Sequence, residues 1–327
     1  MAAVIDGFLR EQLYERRQRL QQAAAAETDD SARLHLLLAE VDGALARLDN
    51  GSYGLCETCH DSIESDRLIC DPLVRFCLDH LTKHERSALE QDLKLAARVQ
   101  RGLLPSQSLE TPDWHICYHY EPAGLVSGDY CDVIDAGEAG LYFMVGDVSG
   151  KGVAASMLMA HLHAMFRTLI SFGLSLQGML EHASRVFSES TLPNQYATLV
   201  CGRALANGRI EISNAGHPAP LIVKHRKVDR LETSNLPLGL FCEENFTVSE
   251  IQLSPDEGIV IYSDGVSEAA DMSGTLYGDE RIRSLIGQAQ AVNPSALVSA
   301  CIEDLIMFRS NAAKADDVTL FVLGRKH

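Results

Sequence analysis

The spacing of apolar positions divides the chain into stretches of different texture. Between residues 32 and 49, Leu34, Leu38, Val41, Leu45 and Leu48 recur in alternating steps of four and three. That spacing places them on one stripe of a helix and predicts a seam against a second helix. Residues 3–25 also carry a helical pattern, and the intervening ETDDS is a turn rich in capping residues. Residues 1–50 are therefore expected to form an antiparallel helical hairpin. Residues 51–81 lose all periodicity and gain cysteines. Residues 82–105 regain a helical face through Leu89, Leu93, Ala96, Val99 and Leu103, until Pro105 stops it and SQSLETPD follows as a loop.

From Trp114 onward the pattern shortens to β-type runs. WHICYHYE, DYCDVI and LYFMVGDV precede two helical segments near 152–172 and 176–190. More strands follow in YATLVCGRAL, RIEISNAG, PLIVKH, KVDRLE, FTVSEIQL and GIVIYSDG, with an Asn207-Gly208 hairpin signal between two of them. Helices near 279–290 and 294–310 precede a last strand, VTLFVLG. Strands in runs, with helices inserted in pairs, predict an α+β sandwich of antiparallel sheets over 106–327, in place of alternating βαβ units.

Charge narrows the function classes. The 327 residues hold 28 Lys and Arg against 45 Asp and Glu, a net charge of −17. A general nucleic-acid binder needs a basic face, so direct DNA binding is not expected. The excess is concentrated after residue 105, with 15 basic against 27 acidic residues, compared with 13 against 18 before it. That bias suits a cation site. No run reaches the roughly 18 apolar residues of a membrane span, and the charged N-terminus shows no secretory signal. The expectation is a cytoplasmic protein.

Nine cysteines are present, four of them (Cys56, Cys59, Cys70, Cys77) within 22 residues. Without an export signal, such clustering favours a metal over disulfides. Cys56 and Cys59 form a CxxC pair, and Cys77 with His80 forms a CxxH pair. Two such knuckles supply the four soft or imidazole ligands of a tetrahedral Zn²⁺. Cys70 is a spare thiol ranked below His80 as the fourth ligand. The stretch GSYGLCETCHDSIESDRLICDPLVRFCLDH resembles the zinc finger of DksA/TraR-type proteins over about residues 1–81, with His80 where that family usually has Cys. The resemblance implies a possible contact with RNA polymerase through an acidic hairpin tip, here Asp29 and Asp30. The N-terminal helices could also serve oligomer formation.

The segment VGDVSGKG tempts a nucleotide-loop reading. It is one residue short between its first Gly and Gly-Lys, and Gly152 replaces the required hydroxyl residue. Asp147 carries the alternative. Asp129 and Asp132 in SGDYCD, Asp264 in YSDGVSE, and Asp316 with Asp317 in ADDVTL share its setting at strand ends. Carboxylates gathered there repel unless cations neutralise them, and hard divalent ions prefer such oxygens. Two ions at such a site activate a water for in-line attack on phosphorus.

These motifs resemble the metal-dependent protein phosphatases (PPM family) of the bacterial RsbU/SpoIIE type. The match runs from AARVQRGLLP through EPAGLVSGDYCDV, VGDVSGKGVAASMLMA, SNAGHPAPLIV, LPLGL and IVIYSDGVSEA to ADDVTLFVL, about residues 94–324. The resemblance implies an αββα sandwich holding two Mn²⁺ or Mg²⁺. Asp147 would bridge both ions, with Asp264 and Asp316 completing the second site. The carbonyl of Val148 and the carboxylate of Asp129 would assist, with Asp317 secondary. Asp147, Asp264 and Asp316 are thus the expected catalytic residues. Ser149 stands where the eukaryotic branch often has a histidine, so the general acid stays open. His217 reads as a structural histidine, and Lys151 as an exposed charge.

The implied substrate is a phosphoserine or phosphothreonine protein, a small STAS anti-anti-sigma-like partner in partner switching. The zinc module would act as sensor or docking element. The competing reading is a DksA/TraR-like transcription regulator with a degenerate phosphatase domain, which the complete aspartate set disfavours.

Overall fold

The computed structural model describes residues 2–25, 31–63, 67–68, 71–81, 83–192, 195–225, 227–231, 235–240, 245–289, 291–310, 312 and 314–327. Asp29, Asp30 and Cys70 lie outside them. The chain divides into two compact units, Met1–Gln91 and Asp92–His327.

In the first unit, α1 (Ala2–Ala25) and α2 (Ser31–Asn50) pack through Leu13, Val41, Ala44 and Leu45, with Leu20 and Leu48 at the margin. Two ion pairs fix their antiparallel sense: Arg10 meets Asp49 at 2.8 Å and Arg17 meets Asp42 at 2.7 Å. A step forward on one helix thus matches a step back on the other. A second cluster gathers Leu9, Cys56, Ile63, Leu68 and Cys77. Helix α3 (Lys83–Leu103) runs across the boundary between the units.

The second unit is a four-layer sandwich. One sheet has the order β1 (Ser108–Glu110), β2 (Trp114–Glu121), β11 (Val318–Arg325), β10 (Gly258–Tyr262), β7 (Leu221–Lys224), β8 (Lys227–Arg230). The other has the order β3 (Asp129–Asp135), β4 (Leu141–Val148), β5 (Ala197–Ala204), β6 (Arg209–Ala215), β9 (Ser249–Gln252). All paired strands are antiparallel. Helices α4 (Gly152–Ser171) and α5 (Leu176–Ser190) cover the five-stranded sheet. Helices α7 (Asp279–Gly287) and α8 (Pro294–Arg309) cover the six-stranded one, and α6 (Asp264–Ser267) is a single turn after β10.

Strand alternation assigns each side chain to a layer. On β4, Leu141, Phe143 and Val145 point between the sheets, while Tyr142, Met144 and Val148 point to α4 and α5. Phe143 meets Phe321 of the opposite sheet with ring centroids 5.8 Å apart. Burying each such side chain stabilises the fold by roughly 1.5–3 kcal/mol.

Two local expectations need correction. SQSLETPD contains the short edge strand β1; its polar composition hid it, because only one neighbour pairs with it. The strand expected at FTVSEIQL begins only at Ser249. Among the described helices, Gly152–Ser171 is long and apolar enough to cross a membrane by length and composition alone, though no run of 18 apolar residues occurs in it. In this fold its inward face, Ala155, Met159, Leu162 and Phe166, belongs to the core.

Candidate active site

The expected aspartates come from the same end of the sandwich. Asp129 opens β3 and Asp147 lies near the end of β4, and the register sets them directly opposite each other. Asp264 opens the turn after β10, and Asp316 lies two residues before β11. Like charges opposed on paired strands are destabilising, so this pairing is a concentrated cost in the fold.

The electrostatics reflect that crowding. Burial first, then Asp264, Asp316 and Asp317, push the Asp147 carboxyl up to about 7. Asp129 is fully buried and raised well above the ordinary range by burial and by Asp147. Asp264 is raised by burial and by Asp316. A set of carboxylates this reluctant to ionise together fits a demand for cationic charge.

Two glycines permit the approach. A Cβ on Gly128 would lie 3.1 Å from Asp147 Oδ1 and 3.2 Å from the Val148 carbonyl oxygen. A Cβ on Gly265 would collide with the Asp317 carbonyl oxygen at 1.9 Å. The glycine beside the aspartate in SGD and SDG therefore keeps open a cradle around carboxylate and carbonyl oxygens, and the residues present suit a pair of hard divalent ions.

The surrounding hydrogen bonds hold Asp129 in place. Thr319 Oγ1 donates to its carboxylate. Its backbone N–H donates to Ser127 Oγ at 3.0 Å, and Gln100 grips Ser127 by both backbone groups at 2.7 and 3.0 Å. Asp317 spends both oxygens on the loop before β3, accepting from Ala123 N at 2.6 Å and Gly128 N at 2.9 Å. Lys151 is exposed, as expected, and its ammonium contacts Asp316 Oδ2 at 2.8 Å and the Ala315 carbonyl at 3.0 Å.

Asp132 does not join the set. Three positions after Asp129 it faces the helices, where it binds Arg167 at 2.8 and 3.0 Å and lies 3.6 Å from His163. The motif grouped two aspartates that strand parity separates. His217 is buried, with Nδ1 3.0 Å from Thr198 Oγ1 and its backbone clasped by the Asn214 amide at 2.9 Å on both sides. Burial lowers its pKa to about 3, which favours the neutral imidazole.

A cavity of about 410 Å³ opens over Asp147 and Asp264, lined also by Ser149, Tyr196, Thr198, His217 and Arg230. Arg230 escaped the sequence reading, because a four-residue edge strand without a motif gives it no signal.

In the first unit, Cys56, Cys59, Cys77 and His80 offer ligand atoms all within 4.8 Å of one another. Cys59 and Cys77 sulfurs lie 3.8 Å apart, and Cys77 Sγ lies 3.2 Å from His80 Nδ1. Burial opposes ionisation of Cys56, yet backbone N–H groups of the knuckles bring its thiol below the ordinary range. Cys59 is pushed the opposite way, as expected where neighbouring sulfurs share protons. The four side chains suit one tetrahedral Zn²⁺.

The two antiparallel sheets between helical layers, with aspartates converging at one end, define a PP2C-type phosphatase fold. The SiaA-PP2C domain of Pseudomonas aeruginosa shares it, with a TM-score of 0.63 and 15% identity over 74% of this chain and 97% of that one. So does RsbX in complex with magnesium, with a TM-score of 0.52 and 14% identity over 67% and 99%. Residues 137–326 match the family described as Stage II sporulation protein E (SpoIIE), and the chain belongs to that family. Protein IcfG of Synechocystis sp. is 24% identical over 263 residues, 72% of this chain and 41% of that protein. Phosphoserine phosphatase RsbU of Bacillus subtilis is 24% identical over 241 residues, 73% and 71% of the two chains. The chain thus spans less than half the length of the first of these relatives.

Proposed function

We propose that the second unit is a metal-dependent protein phosphatase acting on phosphoserine or phosphothreonine. The observation that carries this reading is the pair Asp147 and Asp264 lining one cavity, with Asp129 buried directly opposite Asp147 on the paired strand. The similarity to phosphoserine phosphatase RsbU supports it. Asp147, Asp264, Asp316, Asp129 and the Val148 carbonyl would hold two Mn²⁺ or Mg²⁺. Bound there, the ions would supply charge neutralisation and an activated water. The protein's own contribution is placement: the β3–β4 register sets the carboxylates, Gly128 and Gly265 let the loops close, and Thr319 with Ser127 fixes Asp129. The cavity admits a phosphorylated side chain and not a folded domain, so the substrate presents its phosphoryl group from a loop. The partner would be a STAS anti-anti-sigma-like phosphoprotein, as the resemblance of the sequence motifs to RsbU-type phosphatases implies.

The first unit would carry one Zn²⁺ on Cys56, Cys59, Cys77 and His80 in a DksA/TraR-like finger, as sensor or docking element. The test is p-nitrophenyl phosphate turnover with and without Mn²⁺, in the native chain and in Asp147→Asn and Asp264→Asn. Turnover is expected to need Mn²⁺ and to fall on the order of 10³-fold or more in each variant, with the far-UV dichroism unchanged. Activity retained in both variants overturns the reading.

A further inference from the structure

With the aspartates engaged by the divalent ions, the oxygens of a phosphoryl group that face away from them still call for a donor in the cavity wall. Among the described residues lining the cavity, Arg230 is the one cation, since His217 is kept neutral by burial. The other cation beside the carboxylates, Lys151, is engaged with Asp316 and does not line this cavity.

The fold explains how Arg230 arrives there. The β7–β8 register sets Arg230 opposite Leu221, and Leu231 N donates to the Pro220 carbonyl at 2.8 Å. Arg230 therefore ends the hairpin beside the turn Gly216–Ala219, which forms one wall of the cavity. Its guanidinium is partly exposed and lies 3.0 Å from Asp279 Oδ2, at the first residue of α7. A half-exposed pair of this kind contributes only about 0–1 kcal/mol to stability. A guanidinium carries five N–H donors in a planar fork, and one carboxylate contact does not exhaust them. Asp279 holds the side chain at the cavity rim and restricts its rotamers.

The geometry points to Arg230 as the residue that binds the non-reacting oxygens of the substrate phosphoryl group. This deepens the phosphatase reading and rests on it. The fork matches two phosphoryl oxygens at once, as a lysine ammonium would not. The site accordingly takes phosphomonoesters and inorganic phosphate, the reaction product.

The test measures binding as well as rate. Inorganic phosphate is titrated calorimetrically into the full-length, Mn²⁺-loaded chain, and KM and kcat are measured for a phosphoserine peptide. Arg230→Ala is expected to weaken phosphate binding and raise KM by about ten- to a hundredfold, with Mn²⁺ affinity and melting temperature unchanged. Arg230→Lys is expected to recover part of the loss, and Asp279→Asn to cost only a few-fold. Phosphate affinity and KM within twofold of the native chain in a folded Arg230→Ala overturn the assignment. Arg230-dependent phosphate binding without turnover of any phosphoester would sink the phosphatase reading and leave the anion site standing. A native chain that neither binds phosphate nor turns over a phosphoester overturns both.

Discussion

The two candidate metal centres are built on opposite plans. The candidate Cys/His ligands lie between residues 56 and 80, on two knuckles whose buried supporting core, apart from Cys56 and Cys77 themselves, is Leu9, Ile63 and Leu68. The aspartates come from β3, β4 and the segments beside β10 and β11, backed by three large clusters of buried residues. One site is local in sequence with little core around it; the other is scattered in sequence on a scaffold that stands by itself. The difference teaches where the folding free energy resides. In the first unit the ion would be part of the fold; in the second the fold exists first and the ion completes the chemistry.

That contrast is open to attack. The largest effect is expected at the cysteines. Cys56→Ser combined with Cys59→Ser should reduce zinc from one per chain to none, and amide exchange across residues 51–63 should accelerate by orders of magnitude, while β3–β6 stay protected. Elemental analysis with hydrogen-exchange mass spectrometry reads both. Unchanged protection around the knuckles would erase the contrast.

The next effect tests the scaffold. Asp132 is wholly buried and depends on Arg167. Arg167→Ala leaves that carboxylate buried with its strongest partner gone, and should cost about 3 kcal/mol in urea unfolding. A loss comparable to that of stripping Mn²⁺ would mean that the metal, not the sandwich, carries this unit.

The smallest effect separates the floor of the site from its frame. With Asp147 raised to about 7 in the folded chain, the metal-free folded state binds more protons than the unfolded state between about pH 4 and 7. Stability is therefore lost as pH rises through that window, and the loss is complete above it. Asp147→Asn removes the share of this dependence that Asp147 carries, while Asp129 and Asp264 keep theirs. At pH 8 without metal it should be more stable than the native chain, on the order of 2 kcal/mol after discounting for partial exposure. Parallel melting curves for the two proteins from pH 5 to 8 would contradict the crowding.

Legibility in the sequence followed the same division. The Cys/His spacing pointed to four side chains whose ligand atoms the fold brings within 4.8 Å of one another, because covalent proximity does most of the positioning. The long strands and helices of the sandwich were legible from periodicity, since one buried face imposes it. The aspartate motifs were legible through their glycines, which Gly128 and Gly265 justify sterically. What escaped depends on pairing. Asp132 looked equivalent to Asp129 until strand parity placed them on opposite faces. Lys151 read as an exposed charge and is one; its pairing with Asp316 is what the sequence did not show. Arg230 carried no pattern, because its place follows from the register of a short hairpin.

The register at Asp129 and Asp147 also divides the sandwich lengthwise. Chemistry occupies one end; at the other, the turns at 136–140 and 205–208 close the same hairpins far from any carboxylate of the set. The exposed tip of the first turn, Gly137 to Ala139, is a margin where chain length is able to drift away from the reacting end, whereas the second turn is tied down by Trp114, Gln252 and Leu253.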